Sequence, residues 1–260
     1  MNIIGSKETS GVLKFTVNHI NVSVINALRR CILSDIPTVV FKTSPYEEKD
    51  VNILTNTTRF NNEILSNRLS CIPIHITDLN TPIDDYLLEV NVQNNTDEIV
   101  NVTTKDFCII NTKTNTKLPV EEVKKIFPPN PITDDYIIFT RLRSKISDTL
   151  KGEHIHLTCK FSINTAATNE MFNVASTCSY GNTVDNETAK KVLHDKTEQW
   201  HNENKTQDEL DVLKNNWELL DKFRITIPDS FDFIIESVGV FTNKYLIKTA
   251  CKTLISQLKN

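Results

Sequence analysis

The feature of the sequence that most constrains its fold is a pair of amphipathic helical patterns near its two ends. Apolar residues recur at helical spacing from about 22 to 34 and again from about 244 to 258. The first stripe contains Val22, Ile25, Leu28, Ile32 and Leu33, and the second contains Leu246, Ile247, Ala250, Leu254 and Leu258. Since strand-like alternation fills much of the sequence between them, the chain is predicted to be an α+β protein.

Strand patterns occupy residues 12–20, 38–43, 86–110, 137–180 and 231–237. A short helix is predicted over 61–69. Residues 185–222 change character, because apolar residues return there at spacings of three and four and a polar stretch near 202–206 interrupts them. These residues are therefore predicted to form two amphipathic helices, which serve either as a docking element or as an excursion that Trp200 and Trp217 pin to the body of the protein.

Charge and hydropathy exclude several classes of protein. The 260 residues carry a net charge of −4, which gives no general attraction to phosphate backbones, so direct nucleic-acid binding is not the default expectation. The sequence lacks a leader-like segment and an apolar stretch of membrane-spanning length, so we expect an intracellular protein without a membrane partner.

Residues that bind metals or catalyse reactions do not form a recognisable group in the sequence. The six cysteines stand singly, without C-x-x-C pairs or nearby histidines, and only five glycines are available for nucleotide-binding loops. His154 and His156 lie two residues apart near Glu153, yet the sequence offers no evident third ligand. The chain is therefore predicted to have no cofactor, no metal and no catalytic activity of its own.

Three segments carry a resemblance to a known family. Residues 26–38 read NALRRCILSDIPT, and residues 56–74 contain NTT, then EILSNRL, then IPI. Residues 228–239 read PDSFDFIIESVG, and a fainter segment contains FNVA at 172–175 and SY at 179–180. In this order the segments resemble the RNA polymerase alpha family, which comprises bacterial alpha, its archaeal counterpart and the third-largest subunit of eukaryotic RNA polymerase II.

The resemblance implies a non-catalytic assembly subunit of a multisubunit DNA-directed RNA polymerase. It would pair with a smaller alpha-like subunit, carry the second-largest and largest subunits, and contact DNA only indirectly through that complex. A discontinuous dimerisation domain of helices packed on a small sheet is expected at 1–45 and 181–260, with a β-rich domain inserted at 46–180. The single cysteines at Cys108, Cys159 and Cys178 depart from members of the family that hold a metal cluster in the inserted domain.

The resemblance also implies which residues bind partners. The apolar contact with the smaller subunit is assigned to Ile25, Leu28, Ile32, Leu246, Ala250 and Leu254. Periodicity alone favours the alternative in which both stripes belong to the core of this chain, and the order of the motifs reverses that preference. Arg29 and Arg30 are expected to reach the second-largest subunit, Arg30 foremost, although a helical arginine pair is also typical of a solvated flank. Arg68 has a similar role or, alternatively, pairs within its own domain with Glu63 or Asp78.

Two questions stay open at this point. The alternative function is a stand-alone interaction or nucleic-acid-binding module, for which residues 117–125 and 141–145 supply local positive charge. The source is the other question, since the asparagine-rich composition, small size and missing metal cluster favour a large DNA virus over a divergent eukaryote. Localisation would follow the source: a cytoplasmic viral factory or virion in the first case, the nucleus in the second.

Overall fold

The structure is a computed structural model that describes residues 2–145, 147 and 151–259. Residues 1, 146, 148–150 and 260, which fall within the predicted domain ranges, lie outside this part of the chain. Helices and strands are mixed along the described residues, which confirms the predicted α+β class.

The elements are numbered in chain order. The strands are β1 (Asn2–Thr9), β2 (Val12–Asn18), β3 (Thr38–Val40), β4 (Val51–Asn56), β5 (Tyr86–Gln93), β6 (Val100–Thr103), β7 (Cys108–Asn111), β8 (Thr116–Lys117), β9 (Ile138–Leu142), β10 (His154–Lys160), β11 (Ser162–Asn164), β12 (Ala175–Val184) and β13 (Thr226–Ser237). The helices are α1 (Val22–Ser34), α2 (Asn62–Ser70), α3 (Val120–Ile126), α4 (Asn186–Asn202), α5 (Gln207–Leu219) and α6 (Asn243–Gln257). The helices predicted near both ends, at 61–69 and within 185–222 are confirmed.

The chain folds into two compact units, and both are discontinuous in sequence. The first comprises the residues up to Leu33, Ala175–Ser237 and the residues from Asn243 onward, and the second comprises Ser34–Val174 and Val238–Thr242. The predicted domains change over at 45/46 and 180/181 instead. The second unit begins earlier because β3 pairs with β11, so residues 38–40 are part of it.

The first unit is built on a four-stranded antiparallel sheet with the strand order β1-β2-β13-β12. Alternate residues of its two central strands are buried, as expected for a sheet that is covered on one face. These residues are Leu13, Phe15 and Val17 in β2 and Phe231, Phe233 and Ile235 in β13. Phe15 and Phe233 lie directly opposite each other, and their rings stack with centroids 5.3 Å apart.

Helices α1 and α6 lie against this face. Glu8 of β1 is opposite Leu13, and residues directly opposite in an antiparallel pair share a face. Asn243, the first residue of α6, donates its side-chain amide to a Glu8 carboxylate oxygen at 2.9 Å. The Cys31 Sγ of α1 lies 3.5 Å from the carbonyl oxygen of Ala250 in α6. The two helices are therefore neighbours, although they begin more than 200 residues apart in sequence.

Helices α4 and α5 form an excursion between β12 and β13 in the first unit. The Asp185 side chain accepts the backbone N–H groups of the first turn of α4, and Thr206 with Glu209 forms a capping box at the start of α5. Trp217 is buried and Trp200 is half-buried. The burial of Trp217 favours the interpretation in which the tryptophans pin this excursion to its own unit.

The second unit contains a five-stranded sheet with the order β4-β10-β5-β7-β8, together with the two-stranded pairs β3–β11 and β6–β9. Its core joins the sheet to α2 and α3 through aliphatic residues and a series of phenylalanines. Phe41 lies 5.0 Å from Phe161 and 6.2 Å from Phe127, while Phe107 lies 5.3 Å from Phe127 and 5.9 Å from Phe139, all between ring centroids. The β-rich region expected between the terminal helices is thus present.

Removing the central ring of the first unit is expected to destabilise that unit specifically. Phe233→Ala leaves a cavity beside Phe15 and Tyr180, so the free energy of unfolding should fall by about 3–5 kcal/mol. Ile234→Ala, on the less buried face of the same strand, should cost about 1.5 kcal/mol or less. Both tryptophans belong to the first unit, so urea unfolding followed by tryptophan fluorescence measures the effect. Equal losses in the two variants would contradict the assignment of the buried face.

Candidate partner interface

Helix α1 starts at Val22, as the sequence predicts, and Asn21 caps its first turn. The Asn21 side chain accepts the backbone N–H of Ser23 at 2.8 Å, and the Asn21 carbonyl accepts the N–H groups of Val24 and Ile25 at 3.0 and 3.3 Å. The helix ends at Ser34, shortly before Pro37, whose ring disfavours the helical conformation at the preceding residue. These two signals fix where α1 begins and ends.

Five of the residues assigned to the apolar contact are buried in the chain by itself. They are Ile25, Leu28, Ile32, Leu246 and Ala250. Their burial is what the alternative of an intramolecular core expects. Side chains that are already covered offer no surface to a second chain, so a partner that binds α1 and α6 meets the residues that the sheet leaves uncovered. A direct role of these five residues in partner binding stays a prediction.

Helix α6 carries a second apolar stripe next to the buried one. Its members are Ile247, Cys251, Leu254 and Leu258. Their spacings of four, three and four residues place them along one side of a helix, as in the seam of a coiled coil. The first three are half-buried, and burial raises the pKa of the Cys251 thiol. Leu258, just beyond the helix end, is 86% exposed. Leu254, the sixth residue assigned to the contact, therefore lies on a side of α6 that is only partly covered.

The arginine pair of α1 divides between two environments. Arg29 is half-buried, and its Nε and Nη2 donate to the Asn26 Oδ1 at 3.2 and 3.0 Å. Burial raises the pKa of Cys178 in β12 to about 12, and the positive charge of Arg29 opposes that rise. Arg30 is exposed. Arg30 is therefore the more exposed member of the pair, and its role in binding the second-largest subunit stays a prediction.

Arg68 lies in the second unit, on α2, and is held by backbone rather than by a carboxylate. Its Nε donates to the Phe139 carbonyl at 2.6 Å, and its Nη2 donates to the Ile138 carbonyl at 2.9 Å. Within the described residues Arg68 forms no ion pair with Glu63 or Asp78, which corrects that alternative. The pairing is local to its unit, as the alternative supposed, but the acceptors are carbonyl oxygens of β9.

The described residues contain no group of three or more His, Cys, Asp or Glu side chains that could hold a metal ion. The two histidines of β10 have other partners: His154 Nε2 lies 2.8 Å from Asn91 Oδ1, and His156 Nε2 lies 3.3 Å from Glu89 Oε1. None of the helices in the described ranges combines the length and the hydrophobicity needed to cross a membrane. The expectation of a chain without metal or membrane stays a prediction.

Sequence reasoning missed one strand and one exposed apolar residue near the candidate interface. Strand β1 forms the edge of the first sheet, and Ile3 on this strand lies opposite Val17 while remaining largely exposed. The register shifts between Ile4 and Lys7, where Gly5 adopts a positive φ of 65°, and this bulge breaks the alternation that would have revealed the strand. Val24 of α1 is also about half exposed. The uncovered apolar surface thus includes residues outside α6.

Comparison with known proteins identifies relatives of part of the chain. Residues 14–125 match the family model described as the RNA polymerase Rpb3/Rpb11 dimerisation domain. The DNA-directed RNA polymerase subunit Rpo3 of Pyrococcus furiosus is 34% identical to this chain over 89 residues. That alignment covers 34% of the chain and 29% of Rpo3, so the match spans less than a third of the relative's length. The family match runs from β2 into α3 and crosses the predicted domain boundary at 45/46.

An aspartate at a buried position should destabilise the fold strongly, whereas one at an exposed position should have little effect. Leu28→Asp places a charge in the core of the first unit, so we expect a loss of at least about 3 kcal/mol in the free energy of unfolding. Leu258→Asp should change it by about 0.5 kcal/mol or less, since that side chain is 86% exposed. Denaturant unfolding followed by tryptophan fluorescence compares the two variants. A stable Leu28→Asp protein would show that this stripe is not core.

Proposed function

We propose that the chain is a non-catalytic assembly subunit of a multisubunit DNA-directed RNA polymerase, because residues 14–125 match the Rpb3/Rpb11 dimerisation-domain model. In this role it pairs with a smaller alpha-like subunit and carries the second-largest and largest subunits. The match to a dimerisation domain is the observation that carries the proposal. The uncovered stripe on α6 supports it, because that stripe is a surface on which a partner helix can pack.

The pairing surface proposed is the side of α6 formed by Ile247, Cys251, Leu254 and Leu258. Each of these side chains retains exposed apolar area that a partner helix would remove from water, at about 25 cal/mol per Å². Val24 of the neighbouring helix α1 is about half exposed and lies beside the buried residues of that helix. Two helices of this chain and two helices of a partner would then pack together in a four-helix contact.

The alternative of a nucleic-acid-binding module has weaker support. Its two basic segments are partly neutralised, because the Arg143 guanidinium pairs with Glu153 and Lys145 lies 3.7 Å from Asp97. Lys117 lies 4.0 Å from Glu89. A binding module for nucleic acid needs its cations available for phosphates, so these pairs reduce the positive field that either segment presents.

A viral source and the matching localisation belong to the same proposal. The 28 asparagines and the isolated cysteines support a polymerase encoded by a large DNA virus, acting in a cytoplasmic viral factory or in the virion. The genes that flank this one would decide between that source and a divergent nuclear polymerase.

Leu254→Asp is expected to abolish pairing with the small alpha-like subunit. An unpaired charge at the centre of an apolar helix contact costs several kcal/mol, which corresponds to a loss of about 100-fold or more in affinity. Ser256→Asp is the matched control, since it adds the same charge to the same last turn of α6 on an exposed side. Co-expression with the small subunit followed by pull-down compares the two, and Leu258→Asp serves as a second variant that spares the core. Normal pairing by both leucine variants would exclude this side of α6.

Arg30→Ala is expected to separate the two assembly steps. A tagged wild-type chain should co-purify with the small subunit and with two very large polypeptides from cells that express all subunits. The variant should keep the small subunit, because the apolar side of α6 is unchanged, and should capture the second-largest subunit about 10-fold to 100-fold less well. Quantitative pull-down measures both. Loss of the small subunit first, or a wild-type chain that captures no large polypeptide, would contradict the proposal.

A further inference from the structure

A cavity in the second unit gathers positive charge on a chain that is acidic as a whole. It has a volume of about 530 Å³ and is lined by Arg59, Phe60, Arg68, Ile138, Thr140 and Arg141. Three of the seven arginines of the chain therefore line one cavity, and no carboxylate is among its lining residues. Like charges held close together repel one another, so this arrangement is most favourable when an anion occupies the space between them.

The three guanidinium groups are prepared for a ligand in different ways. Arg68 is fixed by its bonds to the carbonyls of Ile138 and Phe139, and its Cζ lies 5.6 Å from the centre of the Phe60 ring. These two bonds leave further N–H groups of Arg68 to donate. In the part of the chain that the structure describes, the side chains of Arg59 and Arg141 make no hydrogen bond or ion pair. Their donors are therefore available to an oxyanion.

Thr140 adds an independent sign of a missing partner. It is 1% exposed, and its Oγ1 has no hydrogen-bond partner among the described residues. A buried hydroxyl without a partner is destabilising, so such groups are uncommon unless a ligand or an ordered water completes them. Thr140 lines the same cavity as the three arginines. An oxygen-bearing ligand in the cavity would satisfy both the hydroxyl and the guanidinium groups.

An apolar cleft adjoins this cavity and shares Arg68 and Ile138 with it. It has a volume of about 390 Å³ and is lined by Ile64, Asn67, Arg68, Cys71, Ile72, Ile137 and Ile138. Ile64, Ile137 and Ile138 are 42%, 43% and 39% exposed, respectively. Arginine and aromatic residues beside partly exposed aliphatic ones are typical of the residues that dominate protein–protein binding energy. The cleft therefore points to a ligand with both an acidic and an apolar part.

We propose that the arginine cavity and the apolar cleft together bind an extended segment of a partner protein in which an Asp or Glu lies within three residues of an aliphatic or aromatic residue. The carboxylate takes hydrogen bonds from Arg59, Arg141 and the remaining donors of Arg68, and the apolar side chain enters the cleft. Guanidinium groups suit a carboxylate because their planar fork donates two parallel bonds. A nucleic acid would leave the cleft of isoleucines unused. If the proposed function is right, the segment belongs to another polymerase component, and this identification alone depends on that role.

Selection from a random library tests the inference on the purified full-length chain. Immobilised protein is incubated with terminally blocked random octapeptides, and the retained peptides are sequenced. They should be enriched in Asp or Glu close to Leu, Ile, Val or Phe. Arg59→Gln combined with Arg141→Gln should retain about tenfold less peptide and lose the preference for acids, since the double variant removes charged hydrogen bonds to the carboxylate, which solvent weakens at these exposed side chains. Arg68 is left intact because its bonds hold α2 to β9.

Lys190→Gln combined with Lys191→Gln is the matched control. Both lysines are exposed on α4, so the double variant changes the net charge equally and should retain peptides as the wild type does. Retention without an acidic preference, or equal losses in the two double variants, would overturn the inference. The inference would also fail if a random pool of twelve-nucleotide single-stranded DNA bound the wild type but not the arginine double variant, while the retained peptides showed no enrichment. A chain that selects acidic peptides but captures no polymerase subunit would refute the proposed function alone.

Discussion

The pairing of β2 with β13 is the interaction on which the first unit depends. It joins residues 12–18 to residues 230–236, and the Phe15 and Phe233 rings stack at its centre. Thr16 donates its hydroxyl to the Asp232 carboxylate at 2.7 Å across the same pair. Closing so long a stretch of chain has a large entropic cost, but that cost grows only with the logarithm of the length. A continuous apolar face is enough to offset it, and the second unit can therefore be inserted without breaking the first.

This pairing also decides which surfaces remain for a partner. Because β2 leads into α1 and β13 is followed by α6, joining the two strands brings both helices to one face of the sheet. Leu246 and Ala250 are then covered, whereas Ile247, Cys251 and Leu254 lie one step further around the helix and are only half covered. A helix with two adjacent apolar stripes can pack on its own sheet and on a second chain at the same time. The core and the candidate interface are therefore neighbouring sides of a single helix.

The sequence predicts the helices of this protein well and the use of their faces poorly. The asparagine cap at Asn21 and the proline at 37 bound α1 in sequence as in structure, and the polar break near 202–206 separates α4 from α5. Periodicity does not distinguish a stripe that meets the chain's own sheet from one that meets another chain, because both remove apolar area from water. Ile25 and Leu28 are buried because of tertiary packing, which periodicity does not reveal. Strand β1 was missed for a local reason, the bulge at Gly5.

The residues that surround Arg68 in the structure cannot be predicted from the sequence motif that contains it. That motif identifies Arg68 from the sequence, and Arg59 lies just before the same helix, but Thr140 and Arg141 join them only because β9 packs against α2. The bonds from Arg68 to two backbone carbonyls hold its guanidinium in place before any ligand arrives, so binding need not immobilise that side chain again. An arginine fixed in this way orients the cavity, and the two arginines beside it supply donors that a carboxylate can engage. The same contact thus stabilises the second unit and shapes the surface where we infer that a partner segment binds.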